Sequence, residues 1–246
     1  LKQLVAYITS GYPDIGFTTD LALALGESGV DQLELGVPFS DPVADGPVIE
    51  KANFRSLQNG FKFEDLLKVS KEVAPHVDTL WMGYFNLFYQ YGMQRLLKEA
   101  ANLHVKGMII PDLPYEEAQS YSKDFNQYNV ANIAFVAPTD SPKRIEHIVS
   151  DAKQFIYLVA YTGITGSGKH ENLQVILRHI KSYSHTPVYV GFGVNANTAK
   201  EKAQGADGVI VGSAFVTILL DEHLSYTEKI KECTTLASSI KQKINE

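Results

Sequence analysis

Thiol chemistry is nearly absent from this 246-residue chain: its one cysteine, Cys233, cannot close an intrachain disulfide. Its place in a helical pattern near the end fits a reducing cytoplasm. No apolar run is long enough to span a bilayer. The longest, Gly208 to Leu220, contains Gly212 and Ser213 and falls short of the roughly 18 to 20 residues a span needs, so it reads as a strand followed by a helix. A block of Lys and Arg is also missing. The 22 basic residues are scattered among 28 acidic ones for a net charge of −6, which excludes the electrostatic footprint of a nucleic-acid binder. None of the seven histidines has metal-ligating spacing, and His179 and His185 read as surface residues without a cysteine partner, so no metal is expected. With no linker rich in Pro, Gly and Ser and no low-complexity tract, residues 1–246 are expected to form one domain. The opening Leu1-Lys2-Gln3-Leu4-Val5 has neither a methionine nor the regions of a signal peptide, and we expect a processed or trimmed start.

What is present is a regular alternation. The 45% apolar content supports a full core. Short β-branched runs near 4–9, 31–36, 79–84, 106–110, 131–136, 155–160, 187–190 and 207–211 alternate with segments of helical period. Leu66, Leu67, Val69 and Val73 form one apolar stripe, and Leu173, Val175, Ile176 and Ile180 another. Ser141-Pro142 predicts a helix start, as does Asn195 or Asn197. Strands alternating with helices imply a parallel sheet with right-handed crossovers. Eight such units at this length most simply close into a (β/α)8 TIM barrel, with an open doubly wound sheet as the alternative.

Barrel enzymes build their sites from loops after the strands, and the unusual residues of this chain gather there. In Leu33-Glu34-Leu35-Gly36-Val37-Pro38-Phe39-Ser40-Asp41-Pro42-Val43-Ala44-Asp45-Gly46-Pro47, the alternation puts Leu33 and Leu35 on one strand face and Glu34 on the other. If that other face lines a barrel, an ionised Glu34 is costly unless a cation or a substrate compensates it. A functional acid and an ion pair with Lys or Arg from another strand are both open readings. Asp45 before Gly-Pro is equally a catalytic candidate or a turn residue bonding its own backbone. Trp81-Met82-Gly83-Tyr84-Phe85 reads as a strand and its exit, with inward residues able to face a flat aromatic substrate.

Three glycine motifs follow strands. Gly163-Ile164-Thr165-Gly166-Ser167-Gly168-Lys169 matches the first seven positions of a P-loop, but His170 stands where Ser or Thr would ligate magnesium, so a lid over a site or a plain solvent loop fits better. Gly191-Phe192-Gly193 imitates a dinucleotide fingerprint, yet the following strand ends in Val211-Gly212-Ser213 without the expected acid. Glycine turns after the last two strands instead suit a phosphate site built from backbone N–H groups, with Gly193, Gly212 and Ser213 as its residues; simple tight turns are the other reading.

Taken together with Pro111-Asp112-Leu113-Pro114 and Ala206-Asp207-Gly208-Val209-Ile210-Val211-Gly212-Ser213, these segments resemble the α-subunit family of tryptophan synthase from about Leu4 to the final helix. The resemblance implies a (β/α)8 barrel that cleaves indole-3-glycerol phosphate by a retro-aldol step to indole and glyceraldehyde 3-phosphate, with no cofactor in this chain. It also implies that Glu34 is the general acid-base and that Asp45 holds the indole N–H. Tyr157 would approach the carboxylate and indole, Tyr7 and Phe192 would pack on the ring, and Thr165 would lie on the closing loop near Asp45. Gly193, Gly212 and Ser213 would hold the phosphate. Pro38 and Asp41 would contact a β subunit that carries pyridoxal phosphate (PLP) and receives indole within an α2β2 heterotetramer. Tyr12 and Ala160 stand where similar chains often carry Asp and Ser. An allosteric partner nearly silent alone and a self-sufficient indole-releasing lyase are the alternative functions.

Overall fold

A computed structural model of the protein describes residues 1–160 and 173–246. Among them are nine strands: β1 (Gln3–Thr9), β2 (Gln32–Gly36), β3 (Asp78–Met82), β4 (Gly107–Ile109), β5 (Ala131–Asn132), β6 (Ala134–Val136), β7 (Ile156–Val159), β8 (Val188–Gly191) and β9 (Gly208–Val211). They form one sheet in the order β5-β4-β3-β2-β1-β9-β8-β7-β6, and every pairing is parallel. The two ends of that order are one stretch of chain. Ala131–Asn132 pairs with β4, and after Ile133 the same run pairs with β7. Residues 131–136 therefore join both ends of the ladder, and the wall closes with eight strand positions as a (β/α)8 barrel.

The period-two pattern sorts residues between two cores. Outside the wall, Leu4, Leu33, Leu35, Trp81 and Val209 pack under the surrounding helices, and Ile156, Leu158, Val188 and Val190 do so under Pro142–Val149 and Leu173–Tyr183. Inside, Val5, Leu80, Ile109, Ile133, Tyr189 and Ile210 fill the barrel. Each fully buried leucine outside the wall contributes about 1.5–3 kcal/mol. That drive holds β2 in the one register that turns Glu34 inward, because a one-residue slip would exchange the faces.

Several expectations are corrected. The third strand ends at Met82 rather than residue 84; Gly83 N–H still donates to Ile109 O, and Tyr84 leads into the helix Phe85–Tyr91. Segment 131–136 is two strands because its partner changes at Ile133. Val175 is 52% exposed, and Leu177 takes its place in the buried stripe beside Ile176 and Ile180. Asn195 rather than Asn197 organises the turn before Ala199–Lys202, accepting from the N–H groups of Asn197 and Thr198. Ser141 caps Pro142–Val149 as expected. β2 is followed by two helices, Pro47–Gln58 and Phe63–Val73. The first had no clear apolar stripe, and it converts Asp45-Gly46-Pro47 from a simple turn into a helix entrance with Gly46 as N-cap and Pro47 in the first turn.

Candidate active site

At the C-terminal mouth of the barrel a cavity of about 330 Å³ is lined by residues that include Tyr7, Glu34, Asp45, Tyr157, Gly193 and Ser213. Glu34 enters it from β2, in register with Tyr7 of β1 and Leu80 of β3, and is only 2% exposed. Its Oε1 is buried without a hydrogen-bond partner. The cavity lining contains no Lys or Arg, and Glu34 makes no salt bridge among the described residues. The ion-pair reading of Glu34 therefore finds no partner there. Burial, and next the negative charge of Asp45, push its carboxyl up to about 8.

Asp45 comes from the loop after β2. Its N–H closes a turn onto Pro42 O at 2.9 Å, while its carboxylate faces the cavity with Oδ2 buried and unpaired. Burial raises it to about 6, and the Tyr84 hydroxyl and Asn53 side chain, which favour the ionised form, limit the rise. Tyr84 also fixes the loop. Its ring stacks on Phe39 at 5.3 Å, and its hydroxyl accepts from Ala44 N–H at 3.0 Å. Both carboxyls are raised, that of Glu34 further than that of Asp45.

The opposite side of the cavity is made of backbone. Gly212 is the N-cap of Ser213–Leu220; Phe215 and Val216 N–H donate to Gly212 O, and the N–H groups of Ser213 and Ala214 before them have no partner within the helix, so this end favours an anion. Gly193 faces it from the loop after β8. Thr198 donates to Gly193 O at 2.7 Å, and its Oγ1 accepts from Asn195 N–H at 3.0 Å, so the loop is braced. Phe192 and Gly193 are both left-handed, at φ +71° and +68°. Phe192 is 43% exposed, with its ring edge against Tyr157 at 6.1 Å.

Comparison with known proteins decides what this architecture belongs to. Residues 1–245 match the family described as tryptophan synthase alpha chain. The chain is 53% identical to the tryptophan synthase alpha chain of Wolinella succinogenes, over all of this chain and 96% of that one. The chain belongs to the tryptophan synthase alpha chain family. Among solved structures, the tryptophan synthase subunit alpha from Campylobacter jejuni superposes with a TM-score of 0.87 at 33% identity, covering 96% of this chain and 95% of that one. Ligand-free tryptophan synthase from M. tuberculosis gives 0.89 at 32% identity, covering 100% of this chain and 94% of that one.

In this alpha chain Tyr7, Glu34, Asp45, Tyr157, Phe192, Gly193, Gly212 and Ser213 share one cavity. Thr165, with the rest of the Gly163–Lys169 motif, lies outside the described residues. Of the two interface candidates, Asp41 is exposed and accepts from the Ser40 hydroxyl, whereas Pro38 is buried. Tyr12 is buried, and its hydroxyl accepts from Arg55 at 3.0 Å. Ala160 is buried as well. Among the described residues no group of His, Cys, Asp and Glu is arranged to hold a metal, and no helix is long and apolar enough to cross a membrane.

Sequence reasoning missed Asn53 and Tyr84 as neighbours of Asp45. Tyr84 had a signal, its place at the exit of a strand, but Asn53 sits on the helix that the apolar pattern did not reveal. A second cavity, of about 300 Å³, lies outside the wall beside 131–136. Its acids are engaged, Asp140 by Arg144 and Asp151 by Tyr115 and Gln119, so it lacks the pair of unpartnered buried carboxylate oxygens found at the barrel mouth.

Two glycines shape the mouth. A Cβ at Gly36 would strike the phenol of Tyr7, and one at Gly191 would strike that of Tyr157, so each glycine lets a tyrosine on the adjoining strand lean across it. Gly36→Ala and Gly191→Ala should each drive a phenol into the cavity. The expected result is a rise in KM of about tenfold, with a stability loss of about 1–3 kcal/mol from overpacking. Steady-state kinetics and urea denaturation of both variants check it, and an unchanged KM in both counts against the close approach.

Proposed function

We propose that this alpha chain cleaves indole-3-glycerol phosphate with Glu34 as general acid-base and Asp45 as the partner of the indole N–H. The observation that carries the assignment is the meeting of two carboxylates in one cavity, each with a buried unpartnered oxygen and with no Lys or Arg among the described lining residues: Glu34, raised the further of the two, has a proton to give, and Asp45 is placed to accept a hydrogen bond. Glu34 donates its proton to indole C3, which leaves an iminium in the ring. Asp45 stabilises the positive charge developing at N1–H. The glycerol carbon bonded to C3 carries a hydroxyl, and Glu34, now ionised, takes that proton. The oxygen forms the aldehyde carbonyl as the C–C bond breaks, and its electrons return to the ring. The products are indole and glyceraldehyde 3-phosphate, and Glu34 ends protonated as it began.

The protonated ring is itself the electron acceptor, so this step calls for no cofactor in the chain. Gly193, Gly212 and Ser213 hold the phosphate through backbone N–H groups and the Ser213 hydroxyl. Tyr7, Tyr157 and Phe192 flank the ring. Thr165 is assigned to the substrate site from the family resemblance alone. Indole passes to a PLP-bearing β subunit in an α2β2 assembly, with Asp41 and Pro38 in the contacting loop. The lone buried thiol of Cys233 suits a cytoplasmic setting.

The test is indole release from indole-3-glycerol phosphate by the purified chain, with and without a β subunit. We expect slow cleavage alone and a large rise with the partner. Fast cleavage alone would indicate a self-sufficient lyase, and none in either condition would make Glu34 a structural acid.

A further inference from the structure

Ring packing leaves one part of Tyr7 unused. The residue is 3% exposed and lines the catalytic cavity, and its Cα is in register with that of Glu34 on the adjoining strand. The side chain leans toward the mouth, so that its hydroxyl reaches the space a Cβ on Gly36 would occupy, one inward position beyond Glu34. There its hydrogen-bond partner is Thr9 Oγ1 at 3.5 Å, the outer limit of such a bond, which leaves the phenol free to engage a ligand. Tyr157 leans in the same way over Gly191, and the family resemblance already places it beside the carboxylate. Its ring lies between Phe135, stacked at 4.8 Å, and the edge of Phe192.

We propose that Tyr7 is a further catalytic residue: its hydroxyl donates a hydrogen bond to the substrate oxygen from which Glu34 removes a proton. This rests on the lyase reading of the same cavity. As Glu34 takes the proton, negative charge builds on that oxygen before the carbonyl forms, and among the described residues the lining holds no Lys or Arg to receive it. A phenol aimed at that charge is worth more in a dry cavity than in water. Burial, then the charge of Asp45, keep the Tyr7 phenol protonated, so it stays a donor through the cycle. No proton leaves Tyr7; the phenol only shares its hydrogen, and the atom balance of the cleavage is unchanged.

The arrangement also gives Tyr7 a role that its ring alone would not have. A phenylalanine would fill the same space over Gly36 and pack on indole equally well, so Tyr7→Phe isolates the hydroxyl without opening a hole. The variant is measured beside the native chain and Glu34→Gln, each with β subunit present. Steady-state cleavage of indole-3-glycerol phosphate is one readout, and binding of indole-3-propanol phosphate, which lacks the reacting hydroxyl, is the other. The expected result is a fall in kcat of about 10- to 100-fold for Tyr7→Phe, with KM and binding of the hydroxyl-free analogue within about twofold of native. Turnover within twofold of native overturns the assignment. So does a parallel loss of turnover and analogue binding, which would make Tyr7 a packing residue. If Glu34→Gln also turns over normally, the lyase reading itself falls; if Glu34→Gln is inactive while Tyr7→Phe is normal, only the role of the Tyr7 hydroxyl falls.

Discussion

Glu34→Gln is expected to lower kcat by about 10²- to 10⁴-fold, the usual share of general acid-base catalysis, and at the same time to make the protein more stable at alkaline pH. Both effects come from one placement. Glu34 is buried with no cation beside it among the described residues, so the native state holds its proton up to about pH 8, whereas the ordinary glutamate value is 4.5. Between those values the native state binds more protons than the unfolded chain, and its stability falls as pH rises through the window. At about 1.4 kcal/mol per pKa unit this amounts to a few kcal/mol. Glutamine keeps the shape and removes the charge, so the loss disappears. For a chain of this size each kcal/mol moves Tm by about 2–4 °C. Urea midpoints at pH 5 and pH 9 should differ in the native protein and differ by less in Glu34→Gln, where the raised carboxyl of Asp45 remains. A variant with near-native turnover, or one whose stability falls with pH as steeply as the native chain's, would contradict the placement of Glu34.

Asp45→Asn carries the second large effect, and its sign is set by the coupling between the acids. Under the proposed mechanism the native rate requires Asp45 ionised and Glu34 protonated, so it should rise through about pH 6 and fall through about pH 8. Asparagine removes the anion proposed to meet the indole N–H, and kcat should drop about 100-fold. The acid limb vanishes with its titrating group. The alkaline limb moves to lower pH, because Glu34 no longer has a negative neighbour raising its pKa. A pH–rate profile from 5 to 9 checks all three effects. An alkaline limb that stays at about 8 would show that the two carboxylates do not sense each other.

Much of this site was legible in the chain itself. The alternation of Leu33, Glu34 and Leu35 separates the faces of β2, and the helices that cover the two leucines turn Glu34 into the barrel. Gly191-Phe192-Gly193 and Gly212-Ser213 announce turns after the last two strands, and both reach the cavity that Glu34 enters. These signals are local: a period, a turn residue or a strand end involves neighbours within a few positions. Asn53 had no comparable signal. It is buried and unremarkable on its own helix, and its bearing on Asp45 exists only because Pro47–Gln58 folds back beside the loop that carries that acid.

The sequence by itself determined the strand-helix alternation, the inward face of β2 and the placing of acids and glycines at strand ends, since each follows from residues close together in the chain. Only the tertiary structure decided that residues 131–136 close the wall by pairing on both sides, that Tyr7 leans over Gly36, and that burial raises the carboxyl of Glu34 further than that of Asp45. Those outcomes depend on which distant strands become neighbours and on how completely the barrel keeps water from a carboxylate. Both are properties of the closed barrel and of no single segment.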